Sequence, residues 1–395
     1  MNNSLTAYMT RALKALSAAS VLLGVMATCA AAGKAGTTAA NFLKIPVGPR
    51  QVGMGDQGVA LPDDAFSVNY NPAGIALLNQ QEVAFMHNQW VEGINQQYVG
   101  YANPKSGIGA IAGSINLLRV EPFDGFDANG ARASKVDAQD LLLTGSYATR
   151  IWQQSLVQEG PALFAGGSVK YLQERLETNS ASTYALDTGL LYRFSINNVS
   201  MKAGLAAKNI GPGVKYYEQE SKLPATYALG VSAATRYLWG NPMVVSMEAR
   251  KAVDSDLAIS LGGEYSMSSL VAFRIGYLTN EDLGPGIRAG MGFKMKRFQF
   301  DYGFSIMGDF GLTHRAGLTM RFGRQINRAL EFDKDTIEVR KATSKAKKLI
   351  SQKRYPMALL EVNRALEINA RDVEALRLLD EIQRILENIE SGGKP

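Results

Sequence analysis

The chain has 395 residues, 39 of them Gly and 13 Pro, and a formal net charge of +6. Its mean hydropathy of -0.08 fits a water-soluble domain, and equally a membrane sheet whose strands alternate polar and apolar residues. The positive charge is spread along the chain, which argues against a nucleic-acid footprint. One cysteine, Cys29, excludes an intramolecular disulfide framework.

Residues 1–32 read as a secretion signal: Arg11 and Lys14, a mostly apolar Ala15–Ala27, then Ala30-Ala31-Ala32 as a cleavage site. Met26-Ala27-Thr28-Cys29 is a poor lipoprotein signal, because Thr28 stands where Gly or Ala is wanted. Cleavage after Ala32 leaves a mature chain without cysteine. No later apolar run is long enough for a spanning helix.

Residues 33–80 are rich in Gly, Pro and Asp and poorly periodic, long for a structureless leader, so a plug or linker is expected. Inside lies Asn71-Pro72-Ala73-Gly74. The residue before proline is driven to extended geometry. Asn71 then caps a helical turn with Pro72 at its first position, and Gly74 lets another segment come close. An ordinary surface loop leading into the first strand fits this turn chemistry as well.

From Glu82 the period becomes two. In 297–307, Phe298, Phe300, Tyr302, Phe304 and Ile306 oppose Gln299, Asp301, Gly303 and Ser305. In 258–266, Ile259, Leu261 and Tyr265 oppose Ser260, Glu264 and Ser266. In 184–195, Tyr184, Leu186, Leu190, Tyr192 and Phe194 oppose Asp187, Arg193 and Ser195. Such alternation predicts strands. A soluble sandwich shares it, but three features favour a barrel in lipid. The segments run to ten or more residues. Their polar faces carry small residues and both charge signs: Asp187, Arg193, Glu248, Arg250, Glu264, Arg274, Arg288 and Asp301 are the predicted lumen lining. Tight connections, such as 196–199, 239–241 and 296–297, alternate with longer ones at 120–136, 211–222 and 279–284.

About fourteen segments are predicted, at 82–90, 94–103, 107–121, 137–151, 161–175, 182–195, 200–210, 223–237, 242–252, 255–266, 270–279, 285–296, 297–307 and 311–322. An even count returns both barrel ends to one side. The fold class expected is therefore an all-β transmembrane barrel of antiparallel strands (residues 81–323), a plug (33–80) and a small α-helical tail (324–395). In that tail Ala346, Leu349, Tyr355, Ala358, Val362 and Ala365 have the spacing of a tetratricopeptide helix pair, and 373–389 forms a further, capping helix. A lone repeat needs that cap or a partner. The basic run Lys345, Lys347, Lys348, Lys353 and Arg354 reads first as a solvated face, with Lys345, Lys348 and Tyr355 as candidates for partner binding.

Catalytic chemistry has little to work with. The histidines are His87 and His314, without a defensible triad, metal spacing or phosphate loop. His314 beside Thr313 is the one nucleophile pairing to weigh, against a structural histidine. Asp56 and the Asp63-Asp64 pair read as turn chemistry before a cation site. No enzyme, metal or cofactor is expected.

Two ends of the barrel carry a resemblance. Near the start stand Gly36–Lys44, Gly48-Pro49-Arg50, Met54-Gly55, Asp63-Asp64-Ala65 and Asn71-Pro72-Ala73-Gly74. Later come Leu223-Pro224, Asp301-Tyr302-Gly303-Phe304 and Gly308–Arg315. As a set they resemble the PorV/PorQ family of outer-membrane proteins, similar to the FadL-type channels. The resemblance covers most of 33–323. It implies a fourteen-stranded barrel in the outer membrane of a diderm bacterium, with both termini periplasmic. It also implies an N-terminal segment folded into the lumen, with Arg50, Asp64, Asn71, Pro72, Ala73 and Gly74 as plug or gating residues. FadL-type relatives pass hydrophobic molecules through the barrel wall; PorV serves type IX secretion. Pro49, Asp56 and the helical tail depart from the family pattern. The leading expectation is a channel for small hydrophobic molecules. The alternative is a non-transporting scaffold for secretion or surface attachment, docking periplasmic or secreted proteins through the tail. Outer-membrane lipid is the expected surrounding in both.

Overall fold

A computed structural model describes residues 36–390 apart from 106–108, 127–128, 154–159, 197–198, 217, 239–240, 268, 282, 327 and 370–371. The expected signal peptide, with Cys29 and its cleavage site, lies outside the described residues. The chain divides into a barrel unit ending at Gln325 and a helical unit starting at Ile326.

Fourteen strands of the described residues close into one antiparallel barrel. They are β1 (Gln81–Gln89), β2 (Ile94–Lys105), β3 (Gly109–Phe126), β4 (Arg132–Gln153), β5 (Ala162–Leu176), β6 (Asn179–Ile196) and β7 (Val199–Ile210). Then follow β8 (Thr226–Leu238), β9 (Asn241–Ala252), β10 (Ala258–Ser266), β11 (Val271–Leu278), β12 (Ile287–Met295), β13 (Phe298–Ile306) and β14 (Leu312–Phe322). The ring closes where β14 pairs with β1, Gln81 opposite Phe322. The end of the barrel holding that pair is called the terminal end, the opposite one the loop end.

The period of two decides which face is which. On β13, Phe298, Phe300 and Tyr302 are 40%, 49% and 37% exposed, while Gln299 and Asp301 are 5% and 6%. The same inversion runs round the wall: Tyr184, Leu261, Ile275 and Met291 stand outside, and Asp187, Ser260 and Arg274 are buried inside. An exposed apolar band round a polar interior suits lipid outside. The long 120–136 connection expected from sequence is instead mostly strand, since Phe123 pairs with Val136 and Phe126 with Arg132 after two register shifts. Residues 121–124 are exposed in succession, so no one-sided burial gives them a period, and the backbone ladder extends the hairpin with an exposed Asp124–Arg132 ion pair (3.1 Å) across it. The 211–222 connection holds one small hairpin, Val214–Lys215 on Glu220–Ser221.

The N-terminal segment fills the interior. It makes a 3-10 turn at Asn41–Lys44, the short helix α1 (Pro49–Gly53), and 3-10 turns at Ala65–Asn69 and Pro72–Leu77. It starts at the loop end, where Ala39 N–H donates to the Lys222 carbonyl (2.9 Å). There Thr38 and Lys44 both reach Asp254, in the β9–β10 turn, at 2.6 Å. It ends at the terminal end, where β1 begins. It therefore traverses the lumen. Phe66, Ile75, Met86, Tyr98, Phe164 and Leu191 form an apolar core between this segment and β1–β6. Phe42 forms another with Leu118, Leu142 and Leu172.

The helical unit contains α2 (Arg328–Ser351), α3 (Tyr355–Ile368) and α4 (Val373–Glu390). Lys353, at φ 60, ends the first turn-over, with its N–H and that of Arg354 donating to the Ile350 and Leu349 carbonyls. Pro356 sits in the first turn of α3, where a missing N–H is harmless. Ala346, Leu349, Ala358, Val362 and Ala365 are buried together with Leu378 and Ile382 of α4, and Tyr355 packs on them.

Candidate functional site: the plugged lumen

Asn71 joins sequence to site most directly. It is extended (φ -147, ψ 103), and its Oδ1 accepts the Ala73 N–H at 3.1 Å, capping the turn that Pro72 starts. Its Nδ2 donates to the Val59 carbonyl (2.9 Å) within the plug and to the Leu190 carbonyl (3.0 Å) of β6. Cap and anchor are thus one side chain. Gly74 faces Pro62: a Cβ at Gly74 lies 2.0 Å from the Pro62 Cβ.

Glycines in the wall receive the plug backbone. A Cβ at Gly276 lies 2.0 Å from Gly55 N, one at Gly262 2.2 Å from Met54 O, and one at Gly204 2.2 Å from Val59 O. At Gly189 it meets Asn71 Oδ1 at 2.0 Å, at Gly166 the Ala73 nitrogen at 2.6 Å, and at Gly303 Pro49 O at 2.6 Å. These glycines lie on strands from β5 to β13, so the plug is seated round much of the barrel.

Charges complete the seat. Arg50 holds Glu264 of β10 through two bonds, Nε at 2.7 Å and Nη2 at 3.0 Å, and also bonds Asp63. Glu264 also accepts from Arg274 Nε (2.7 Å), and Arg274 Nη1 reaches Asp301 at 2.7 Å. Asp56 pairs with Arg250 at 2.5 Å. Glu248 accepts the N–H groups of Gly58 (3.0 Å) and Val59 (2.9 Å). Burial works against the Asp56 charge, but Arg250 and Arg288 outweigh it and hold its carboxyl below the usual range. Asp64 behaves oppositely: burial, then neighbouring Asp63, pushes its carboxyl up to about 6. It caps Phe66 N–H (3.0 Å) and accepts from Gln51 Nε2 (2.8 Å).

The predicted lumen residues thus fall into groups. Glu248, Arg250 and Glu264 touch the plug, and Arg274 and Asp301 act through Glu264. Asp187 pairs instead with Lys170 at 2.6 Å, Arg193 lies over the Phe164 ring, and Arg288 stands apart with Glu281. Sequence reasoning missed the wall glycines, Glu82 (which accepts Ala65 N–H at 2.6 Å) and Lys208. The glycines had a signal: most fall on the polar face of a strand, where a side chain is otherwise free to fill the lumen. A cavity of about 180 Å³ remains beside the plug, lined by Lys44, Tyr70, Lys170, Lys208 and Arg250 among others. Near it the β6–β7 ladder slips, Leu186 opposite Ile210 but Thr188 opposite Ala207. Asp187 Oδ1 takes the Asn209 N–H there at 2.7 Å.

Thr313 is buried inside the wall and His314 lies on its outer face, with Nδ1 2.6 Å from the Tyr302 hydroxyl. The two therefore cannot act on one substrate. Among the described residues no group of three His, Cys, Asp or Glu side chains is placed to hold a metal. In the tail, Lys345 is engaged with Glu361 (2.5 Å), Tyr355 packs into the helical core, and Lys348 is exposed.

A closed, plugged antiparallel barrel with an apolar belt defines an outer-membrane β-barrel protein. The family model described as "Type IX secretion system protein PorV" matches residues 28–269, and the chain belongs to that family. A UPF0164 protein of Treponema pallidum (strain Nichols) is 28% identical over 184 residues, 43% of this chain and 42% of that protein. The match thus spans less than half the length of that relative. Among solved structures, the toluene transporter TodX of Pseudomonas putida aligns with TM-score 0.50 at 10% identity, covering 71% of this chain and 99% of that one. The toluene transporter TbuX of Ralstonia pickettii aligns with TM-score 0.47 at 10% identity, covering 70% and 99%. The likeness to TodX is one of fold alone, a closed FadL-like outer-membrane barrel, and the family is the one described for type IX secretion.

Proposed function

We propose that this protein is a stoppered outer-membrane barrel acting as a scaffold for protein secretion or surface attachment, non-enzymatic and without a conducting lumen. The observation that carries this reading is the seating of the plug: wall glycines meet plug backbone at distances no side chain tolerates, and ion pairs lock the same segment. An uptake channel for apolar molecules needs a continuous apolar route, whereas the cavity beside the plug is mixed, with three lysines and Arg250 standing among Leu43, Ile45, Val47, Leu142 and Leu278. In this reading Arg50, Asp64 and Asn71-Pro72-Ala73-Gly74 hold the stopper, and the inward charges from Asp187 to Asp301 serve as its seat and the lumen lining. Residues 33–80, 81–323 and 324–395 are plug, barrel and a tetratricopeptide-like tail, with Phe322 and the tail on the periplasmic side. The tail is the docking module: Met357 and Leu360 of α3 and Leu376 of α4 are exposed apolar side chains, and Lys345 and Lys348 of α2 are exposed basic ones.

A second reading, a lateral channel for small hydrophobic molecules, is favoured by one observation. The β6–β7 slip at Asp187 is a weak point in the wall close to the cavity. Uptake of a labelled fatty acid in cells with and without the gene separates the two. The scaffold reading expects equal uptake and a secreted or periplasmic protein that co-purifies only while residues 326–395 are present. Uptake that falls with loss of the gene, without such a partner, overturns it.

A further inference from the structure

One cluster of the lumen acts on the plug only through the longer-range field on Asp56, with no hydrogen bond or ion pair to it among the described residues. At the loop end, β12, β13 and β14 set Arg288, Ser305, Thr313 and Arg315 on the inner face, with Ser305 in register opposite both Arg288 and Thr313. Both arginines are buried, at 2% and 0% exposure. They converge on one hydroxyl: Arg288 Nε donates to Ser305 Oγ at 3.3 Å and Arg315 Nη1 at 3.4 Å. Arg315 Nη1 also reaches Thr313 Oγ1 at 3.1 Å. Trp90, at the end of β1, covers Arg315, its ring centroid 4.8 Å from the guanidinium carbon.

The charges here do not balance. Glu281 pairs with Arg288, but no carboxylate pairs with Arg315 among the described residues. Like charges drawn to one buried hydroxyl repel strongly in a medium of low dielectric. The unpartnered atoms are also specific. Arg315 Nε and Nη2 and Arg288 Nη1 are buried donors without an acceptor. Nε and Nη2 are the two donors on one edge of the guanidinium, the fork that takes two oxygens of a planar or tetrahedral oxoanion in parallel bonds. Nη1 of Arg315 is fully occupied by hydroxyls, so the free edge is the one that faces away from Ser305 and Thr313.

We propose that Arg315 and Arg288 form an oxoanion-binding site at the loop end of the lumen, taking a carboxylate or phosphate-class group on the Nε–Nη2 edge of Arg315. Ser305 and Thr313 position the two guanidiniums, and Trp90 shields the site and packs on the cation. The site stands whether or not the barrel conducts, because it lies in the wall, apart from the plug contacts on which the scaffold reading rests.

Trp90 is a built-in reporter. The chain has three tryptophans, so Trp152→Phe with Trp239→Phe leaves Trp90 as the sole emitter. That full-length protein, in detergent, is titrated with inorganic phosphate, acetate and a short-chain phosphatidic acid at fixed pH and ionic strength, with chloride as control. Expected is a saturable change in Trp90 emission with an oxoanion and none with chloride. Arg315→Lys, which keeps the charge and loses the fork, weakens half-saturation about tenfold or more. Saturation by phosphate or acetate identifies a free anion; saturation by phosphatidic acid alone identifies a lipid headgroup. If the Arg315 variant fails to fold, judged by heat-dependent migration on a gel, Arg288→Gln is expected to weaken binding in its place. No saturable response, an equal response to chloride, or a response unchanged in the folded variants overturns the proposal.

Discussion

At the scale of single residues, an added methyl group is the sharpest probe of the lumen. Gly276 has ordinary strand geometry, so alanine there costs nothing in the backbone itself. Its Cβ, however, falls 2.0 Å from Gly55 N, a backbone atom that cannot swing away. Gly276→Ala is expected to destabilise the plugged barrel by about 1–3 kcal/mol. Gly263→Ala, on the same barrel and with nothing within 4 Å of its Cβ, should be nearly neutral. Equal thermal midpoints for the two variants would mean that the plug is not seated as described. Asp64 gives the corresponding pH test. Its folded value of about 6 lies above the ordinary carboxylate value of about 4. The plug therefore gains stability as pH falls through about 6, keeps the full gain below about 4, and loses it as pH rises again. Asp64→Asn keeps the cap on Phe66 and removes the titration. The thermal midpoint of the variant should vary less between pH 4 and 6 than that of the parent; an unchanged slope would assign the titration elsewhere. Asn71 was legible in the sequence because capping is local. The glycine contacts were not, because a glycine announces only that room is needed, not what enters it.

At the scale of elements, legibility followed burial. Strands with one face in lipid and one in the lumen, such as β10 and β13, showed their period and were placed within three residues of their observed ends. The outer parts of β3 and β4 were read as loop because both faces meet solvent, which leaves no alternation to read. The plug was harder still. Its segments are short turns buried on every side, so no period of any kind marks the route from the loop end to the terminal end. That route is testable by locking it. A Cβ at Gly230 lies 3.3 Å from the Ala60 Cβ, close to the roughly 3.5–4.5 Å separation of a disulfide. Ala60→Cys with Gly230→Cys is expected to oxidise to a single internal bridge, seen as a shift in non-reducing migration of the unfolded protein. The bridge ties the plug to β8. If the protein works as a stoppered scaffold, retention of its partner is the same oxidised or reduced. If solute passes by displacement of the plug, oxidation stops uptake and reductant restores it.

At the scale of the whole molecule, two kinds of cooperativity are joined in one chain. The barrel is stabilised by a closed ladder, in which every strand has two neighbours and no edge remains to aggregate, and by a plug it must enclose to fill its lumen. The helical unit has a small core of its own, in which alanines allow α2 and α3 to approach and Leu378 and Ile382 of α4 close the remaining apolar face. Truncation after Gln325 is therefore expected to leave a folded, heat-modifiable barrel and to remove only partner binding. Residues 326–395 expressed alone should be helical. Their stability should be slight, since a domain of this size buries a small share of its surface. The part played by α4 then decides whether the unit is complete. If α4 is the cap, removing Val373–Glu390 exposes the Ala358, Val362 and Ala365 face, and the cooperative thermal transition in circular dichroism is lost. If the transition survives that deletion, α4 is an appendage. The apolar face of α3 would then have to be covered by something other than this chain, which would make the partner proposed for the tail part of the fold as well as of the function.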